Sequence, residues 1–130
     1  MVFKKRTFKV LGGIFSIISL FFVVACYSFG RNPTKVKETL EAKDYKVTVL
    51  SGDALDKEFE TSSLSSLELE YYLYAEKGDD KLYLYYFYTN KDAEFEFNFI
   101  RHDGLQSGQS NNVLYFGTSQ ALEDTKQDSE

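Results

Sequence analysis

The hydrophobic and polar positions divide the chain into an apolar N-terminal stretch and a longer region of mixed character. Residues 10–29 are almost all apolar, and none of them is charged. A stretch of about 20 apolar residues is long enough to cross the hydrocarbon core of a bilayer. Because no polar face interrupts this stretch, it fits a membrane segment better than a buried helix of a globular domain.

Within this stretch, residues 23–26 read Val-Val-Ala-Cys and resemble a bacterial lipobox. The resemblance implies that the chain is cut before Cys26 and that lipid is attached to this cysteine. Tyr27 and Phe29 continue the apolar run past the cut, which is typical of an uncleaved span instead. Two interpretations of 10–29 therefore stay open, a transmembrane anchor and a signal segment, and we favour the uncleaved anchor.

Charge is distributed unevenly around the apolar stretch. Residues 1–9 form a basic region with four basic residues and no acidic one, so the positive-inside rule keeps this end in the cytoplasm. The rest of the chain is then expected on the extracytoplasmic face of the cell membrane. Without the first four, the 15 basic residues become 11 against 20 acidic ones, a net charge of −9. Such an acidic domain repels phosphate groups, which argues against nucleic acid as a partner.

The mixed region predicts one small domain over 32–125. Its first element is a helix over about 33–43, because the Asn-Pro pair at its start combines a good cap with a proline suited to the first turn. Val36 and Leu40 share one face of this helix, and charged residues lie elsewhere on it. A strand follows over 45–50, where β-branched residues alternate with others. The polar stretch 53–66 predicts no regular element.

A β-hairpin is the clearest element of the domain. Apolar and polar residues alternate over 67–75, residues 81–88 are apolar or aromatic on both faces, and 77–80 has the composition of a turn. The second strand should therefore be central in its sheet and covered on both sides. The expected apolar face of the first strand consists of Leu67, Leu69, Tyr71, Leu73 and Ala75.

Residues 91–102 carry conflicting signals. Alternation of glutamate or asparagine with phenylalanine favours a strand, whereas the residues at both ends favour a helix. Thr89 or Asn90 would cap such a helix, and Arg101 and His102 would lie in its last turn. We prefer the helix because both ends carry suitable residues.

The last part of the domain predicts a flexible loop over 105–112 and a short strand over 113–116. Thr118 or its neighbour then caps a closing helix that ends near residue 124, and 126–130 should form a disordered tail. The predicted fold class is α+β, with an N-terminal membrane segment followed by a small antiparallel sheet with packed helices.

Candidate chemistry is sparse. Cys26 is the only cysteine, which rules out an intramolecular disulfide and a cysteine-based zinc site. His102 is the only histidine, and a position at a helix end or on the surface accounts for it. Phosphate-loop, dinucleotide and nucleophile-elbow patterns do not occur, and the acidic pairs lack the spacing of a calcium loop. The sequence therefore predicts no cofactor and no metal.

Tyrosines are concentrated in the hairpin. Aromatic surfaces stack on sugars, and tyrosine is enriched at protein interfaces, while packing beneath helices is the plainer explanation of such a cluster. Tyr72 and Tyr74 should lie on the opposite side of their strand from its apolar face and point outward. The candidate binding surface consists of Tyr72, Tyr74, Tyr83 and Tyr85.

These features favour a non-enzymatic binding module whose partner is a protein or a component of the cell wall. One alternative is a small cell-envelope hydrolase in which Glu68, Glu70 and His102 share acid and base roles. Another is an accessory subunit of a membrane complex, which would contact its partners through the apolar segment.

The layout of the whole chain resembles small membrane-tethered exported proteins of low-GC Gram-positive bacteria. The resemblance is carried by the basic start, the apolar segment, the helix and strand in LEAKDYKVTVL, the hairpin, and the turn and helix in FGTSQALED. It implies a topology and a cellular location, and it implies no activity.

Overall fold

Alternating side chains and tight turns produce a five-stranded antiparallel sheet in the computed structural model, which describes residues 27–60, 64 and 68–126. Its strands lie in the order β1-β2-β3-β5-β4. The predicted α+β class, an antiparallel sheet with packed helices, is confirmed. The strands are β1 (Lys46–Leu50), β2 (Leu69–Lys77), β3 (Asp80–Phe87), β4 (Gln106–Ser110) and β5 (Val113–Gly117). The helices are α1 (Thr34–Glu41), α2 (Gly52–Glu58), α3 (Asn90–Glu96) and α4 (Ser119–Asp124).

The predicted hairpin is formed by β2 and β3. Lys77 pairs with Asp80, and Gly78 between them has φ +61°, a conformation that glycine adopts without strain. β3 is the middle strand, and its side chains are buried on both faces of the sheet, as its apolar composition predicts. We call the face that carries Leu84 face A and the face that carries Tyr85 face B.

Face A is covered by α1, α4 and the chain that precedes α1. Val36 and Leu40 of α1 are buried there, as the sequence predicts, and so are Ala121 and Leu122 of α4. Phe29 is also buried, with 3% of its surface exposed, so the packed domain starts upstream of residue 32. The rest of the predicted membrane segment, up to residue 26, lies outside the described residues.

Face B is covered by α2 and α3. The helix α2 corrects the expectation that 53–66 has no regular element. Leu55 is the only residue of this short helix that is buried, so its sequence shows no periodic apolar face. Contact between Leu55 and the sheet, rather than local pattern, therefore stabilises α2.

A β-bulge in β2 changes which residues share a face. The register with β3 shifts between Leu69 and Tyr71, so Leu69 packs on face B while Tyr71, Leu73 and Ala75 pack on face A. The expectation that Leu67, Leu69, Tyr71, Leu73 and Ala75 share one face is therefore wrong for Leu69, and Leu67 lies outside the described residues. An extra residue in one strand of a pair reverses the alternation on either side of it.

The conflict over 91–102 is resolved as a helix, but a shorter one than expected. The Thr89 hydroxyl accepts a hydrogen bond from the Asp92 backbone N–H at 3.0 Å, which caps α3 as the sequence predicts. Because α3 ends at Glu96, Arg101 and His102 do not lie in its last turn, and that expectation is wrong.

The segment expected to be a flexible loop over 105–112 contains strand β4, which pairs with β5. Gly108 lies opposite Tyr115, and a Cβ at this position would clash with the Tyr115 ring and hydroxyl. The closing helix α4 is confirmed, since the Thr118 hydroxyl accepts from the Ala121 N–H at 3.3 Å. Residues 127–130 of the predicted tail lie outside the described part of the chain.

Over residues 27–60, 64 and 68–126, no helix combines the length and the apolar character that crossing a membrane requires.

Candidate functional site

The four candidate tyrosines lie together on face B in two directly opposed pairs. Tyr72 of β2 lies opposite Tyr85 of β3, with 5.2 Å between ring centroids. Tyr74 lies opposite Tyr83, with 5.0 Å between ring centroids. Antiparallel pairing of the hairpin is what brings these four side chains together. We call Tyr72 and Tyr85 the inner pair, and Tyr74 and Tyr83 the outer pair.

The inner pair is buried. Tyr72 is 9% exposed and Tyr85 is 5% exposed, which corrects the expectation that Tyr72 points outward. Phe59, directly after α2, covers the pair and places its ring centroid 5.1 Å from that of Tyr72 at a nearly perpendicular angle. Burial raises the pKa of both tyrosines, so both hydroxyls stay protonated at neutral pH. The inner pair therefore belongs to the core.

The outer pair is half-buried, and its rings are reachable from solvent. The Tyr74 hydroxyl donates a hydrogen bond to Glu76 Oε1 at 2.7 Å. This bond raises the pKa of Tyr74 to about 12, and it also lowers the pKa of the Glu76 carboxyl. Lys81 Nζ lies 3.6 Å from the same carboxylate oxygen. The outer pair therefore has a charged rim at the hairpin end of the sheet.

His102 is part of this aromatic group, which the sequence did not indicate. Its ring stacks on Tyr83 with 4.0 Å between centroids and 17° between planes, and its Nε2 lies 2.7 Å from the Tyr85 hydroxyl oxygen. Burial lowers the pKa of His102 and favours the neutral ring, which can accept a hydrogen bond from Tyr85. Because 17 residues separate His102 from Tyr85, no local pattern signals the contact.

A cavity of about 460 Å³ lies next to His102. Phe116 also lines the cavity, and its ring lies 4.9 Å from the His102 ring, centroid to centroid. The loop between α3 and β4 forms much of the wall. Apolar and polar side chains both line the cavity, among them Phe97, Ile100, Leu105, Arg101, Asp103 and Ser107.

Glu68 and Glu70, the acidic residues named for a hydrolase, have surroundings different from those of His102. Burial of Glu96 is the main cause that raises its pKa, and the charge of Glu68 adds to it, so these two carboxyls lie near each other. Glu70 lies within the β-bulge. The contacts of His102 given above are with aromatic side chains.

In the described ranges, no three His, Cys, Asp or Glu side chains are grouped so that they could hold a metal ion. Cys26, the predicted site of lipidation, lies outside those ranges.

Compared with known proteins, the chain matches no protein-family model, no curated protein and no solved structure.

Proposed function

We propose that this protein is a membrane-tethered, extracytoplasmic binding module that is not an enzyme. Its binding surface consists of the outer pair, Tyr74 and Tyr83, together with His102 and the adjoining cavity. The observation that carries the proposal is the stacking of His102 on the half-exposed Tyr83 beside Tyr74. Tyrosine and histidine rings offer large contact areas and lose little conformational freedom on binding.

The inner pair supports this surface from below. Tyr85 is buried and lies within hydrogen-bond distance of His102, so the His102 ring is held in place before any partner arrives. A rigid surface of this kind keeps the entropic cost of association low. The mixed lining of the cavity suits an apolar side chain with polar neighbours, so a protein of the cell envelope is the partner we propose.

Sequence features support the location. Residues 10–26 are uncharged and mostly apolar, and basic residues precede them. These two features direct the domain to the outer side of the membrane. The net negative charge of the domain is consistent with a partner other than nucleic acid.

Photocrosslinking in living cells tests the binding surface. Thr48 is exposed and lies directly opposite Tyr74, so p-benzoylphenylalanine at position 48 samples the partner of the outer pair. Replacing both Tyr74 and Tyr83 with serine should weaken that crosslink by about tenfold or more, as loss of central aromatic contacts does. The matched control is Tyr88→Ser, which changes an exposed tyrosine outside the two pairs and should leave the crosslink intact.

Two results would contradict the proposal. An unchanged crosslink in the double variant, with an unaltered thermal unfolding curve, would place the binding surface elsewhere. Binding of the purified protein to isolated peptidoglycan, lost in the double variant, would show that the partner is a glycan and not a protein.

A further inference from the structure

We propose that one corner of the domain, where Tyr27 and Lys126 lie over the buried ring of Tyr115, rests directly on the lipid headgroups. The domain is then held in one orientation instead of moving on a flexible tether. The inference rests on the proposed function in one respect, that the segment before Tyr27 attaches the protein to the membrane.

Packing of the first described residues is the main support. The ring of Tyr27 lies 5.6 Å from that of Tyr115 in an edge-to-face arrangement, and the ring of Phe29 lies 5.4 Å from Tyr115. The Phe29 carbonyl accepts a hydrogen bond from the buried Tyr86 hydroxyl at 3.3 Å. Residues 27–29 are therefore part of the folded domain, and none of them is available as a spacer.

The length of the chain then sets the distance to the membrane. Consecutive Cα atoms are about 3.8 Å apart, so residue 26 lies next to Tyr27 whatever its conformation. If Cys26 carries lipid, the acyl chains start at this point. If the apolar segment spans the bilayer uncleaved, its outer end lies at the same point. Both forms of the tether bring the corner to the membrane surface.

The side chains of the corner suit the headgroup region. Lys126 Nζ lies 5.2 Å from the Tyr27 ring centroid, and Lys43 donates a hydrogen bond to the Lys126 carbonyl at 3.3 Å. Tyrosine and lysine both place an apolar body and a polar end at the membrane interface. Glu123 lies 3.4 Å from Lys126 Nζ, so the local charge is balanced although the domain as a whole is acidic.

The fixed corner also determines where the proposed binding surface lies. Residues 27–29 pack on face A, whereas Tyr74 and Tyr83 are on face B. The binding surface is thus on the opposite side of the sheet from the chain that leads to the membrane, where the bilayer leaves it accessible to a partner.

Tryptophan fluorescence can test this contact because the chain contains no tryptophan. The full-length variant Tyr27→Trp would be reconstituted in vesicles of phosphatidylcholine and phosphatidylglycerol, with and without brominated lipid. We expect brominated lipid to reduce its emission at least about twofold, since interfacial tryptophan lies within reach of the acyl chains. The control variant Ala54→Trp places the probe on the exposed surface of α2, on face B, and should be quenched little.

A third variant tests the fixed orientation. Ten glycine and serine residues inserted between Cys26 and Tyr27 of the Tyr27→Trp protein should lower the quenching to the level of the control. Equal quenching with and without the insert would overturn the inference. If Tyr27→Trp fails to fold, Ser28→Trp at the exposed neighbouring position replaces it.

The same vesicles separate this inference from the proposed function. Protein that does not float with the vesicles would contradict membrane attachment itself. Protein that floats but shows no more quenching at position 27 than at position 54 would contradict only the fixed contact.

Discussion

Tyr72 and Tyr74 are two residues apart on one strand and point to the same face, yet they have different roles. Phe59 packs against Tyr72, which is buried, whereas Tyr74 is half-exposed and donates its hydroxyl hydrogen bond to Glu76. The difference comes from Phe59, which follows α2 directly and packs on Tyr72. Residue type alone does not distinguish a core tyrosine from one available to a partner.

The first prediction at the residue scale concerns the pH dependence of stability. Burial lowers the pKa of His102 below its ordinary value of 6.5. At pH values between this lowered pKa and 6.5, the unfolded chain therefore binds a proton more readily than the folded chain does. The stabilising contribution of the neutral ring is present above pH 6.5 and is lost as the pH falls through the lowered pKa. His102→Gln should therefore show a smaller loss of stability between roughly pH 7.5 and 5. Urea unfolding of both proteins at the two pH values measures this loss of stability.

Carboxyl groups also titrate in this range, and their effects must be subtracted. Burial and the charges of Glu68 and Asp92 raise the pKa of Glu96, which makes its contribution opposite in sign to that of His102. Subtracting the pH dependence of stability of His102→Gln from that of the original protein removes the contributions of these carboxyl groups, because both proteins share them. Equal pH slopes for the two proteins would show that the His102 ring is not held in its neutral form.

At the scale of elements, different interactions determine where helix α3 and strand β4 form. Helix α3 forms where the sequence predicts a cap at Thr89, although alternating phenylalanines also suit a strand. Strand β4 contains no apolar side chain. It forms because the edge of β5 supplies backbone hydrogen-bond partners. Local preference therefore explains α3, and pairing explains β4.

The second prediction compares the two threonine caps. Thr118 does more than cap α4, because its hydroxyl also donates to Asp80 Oδ1 at 2.9 Å and accepts from the Lys81 N–H at 3.3 Å. Thr118→Ala should destabilise the protein by about 2–3 kcal/mol, through loss of the cap and of the link to the hairpin. Thr89→Ala removes only one cap contact and should cost about 1 kcal/mol. Denaturant unfolding midpoints measure both.

Ser51→Ala serves as a control, since Ser51 is exposed and precedes α2 at the capping position, but its side chain makes no capping hydrogen bond. Equal losses for Thr118→Ala and Thr89→Ala would mean that the bonds between α4 and the hairpin contribute nothing measurable.

At the scale of the whole molecule, packing of the first described residues changes how the N-terminal segment is interpreted. In the sequence, Tyr27 and Phe29 extend the apolar run beyond Cys26, which favours an uncleaved span. Their contacts with Tyr115 explain their apolar character through the core of the domain instead. Residues 10–26 are then 17 residues, at the short end of what crosses a bilayer.

The third prediction follows from this change. We expect the mature protein to begin at Cys26 with lipid attached, so the polypeptide should have 130 minus 25, or 105, residues. Stable attachment then requires more than one acyl chain on this residue. Intact mass of the membrane-extracted protein measures both, and Cys26→Ala should leave the full chain uncut. A full-length mass for the unaltered protein would instead identify an uncleaved anchor.

Much of the architecture could be predicted from the sequence because it depends on neighbours along the chain. The hairpin of β2 and β3, the buried side of α1 and the cap of α4 each follow from alternation, helical spacing or a capping residue. The α+β class follows from these elements together. Candidate tyrosines on one face of the hairpin were also predictable, since strand alternation and a short turn determine their pairing.

Only the tertiary structure decided the rest, because it depends on contacts between residues far apart in the chain. Leu55 is buried on face B and stabilises a helix that has no other buried residue, and a free strand edge orders the polar β4. The β-bulge moves Leu69 to the other face, and packing across the sheet brings His102 onto Tyr83. Patterns in the sequence report on near neighbours, whereas burial in this protein is determined by which distant segments meet.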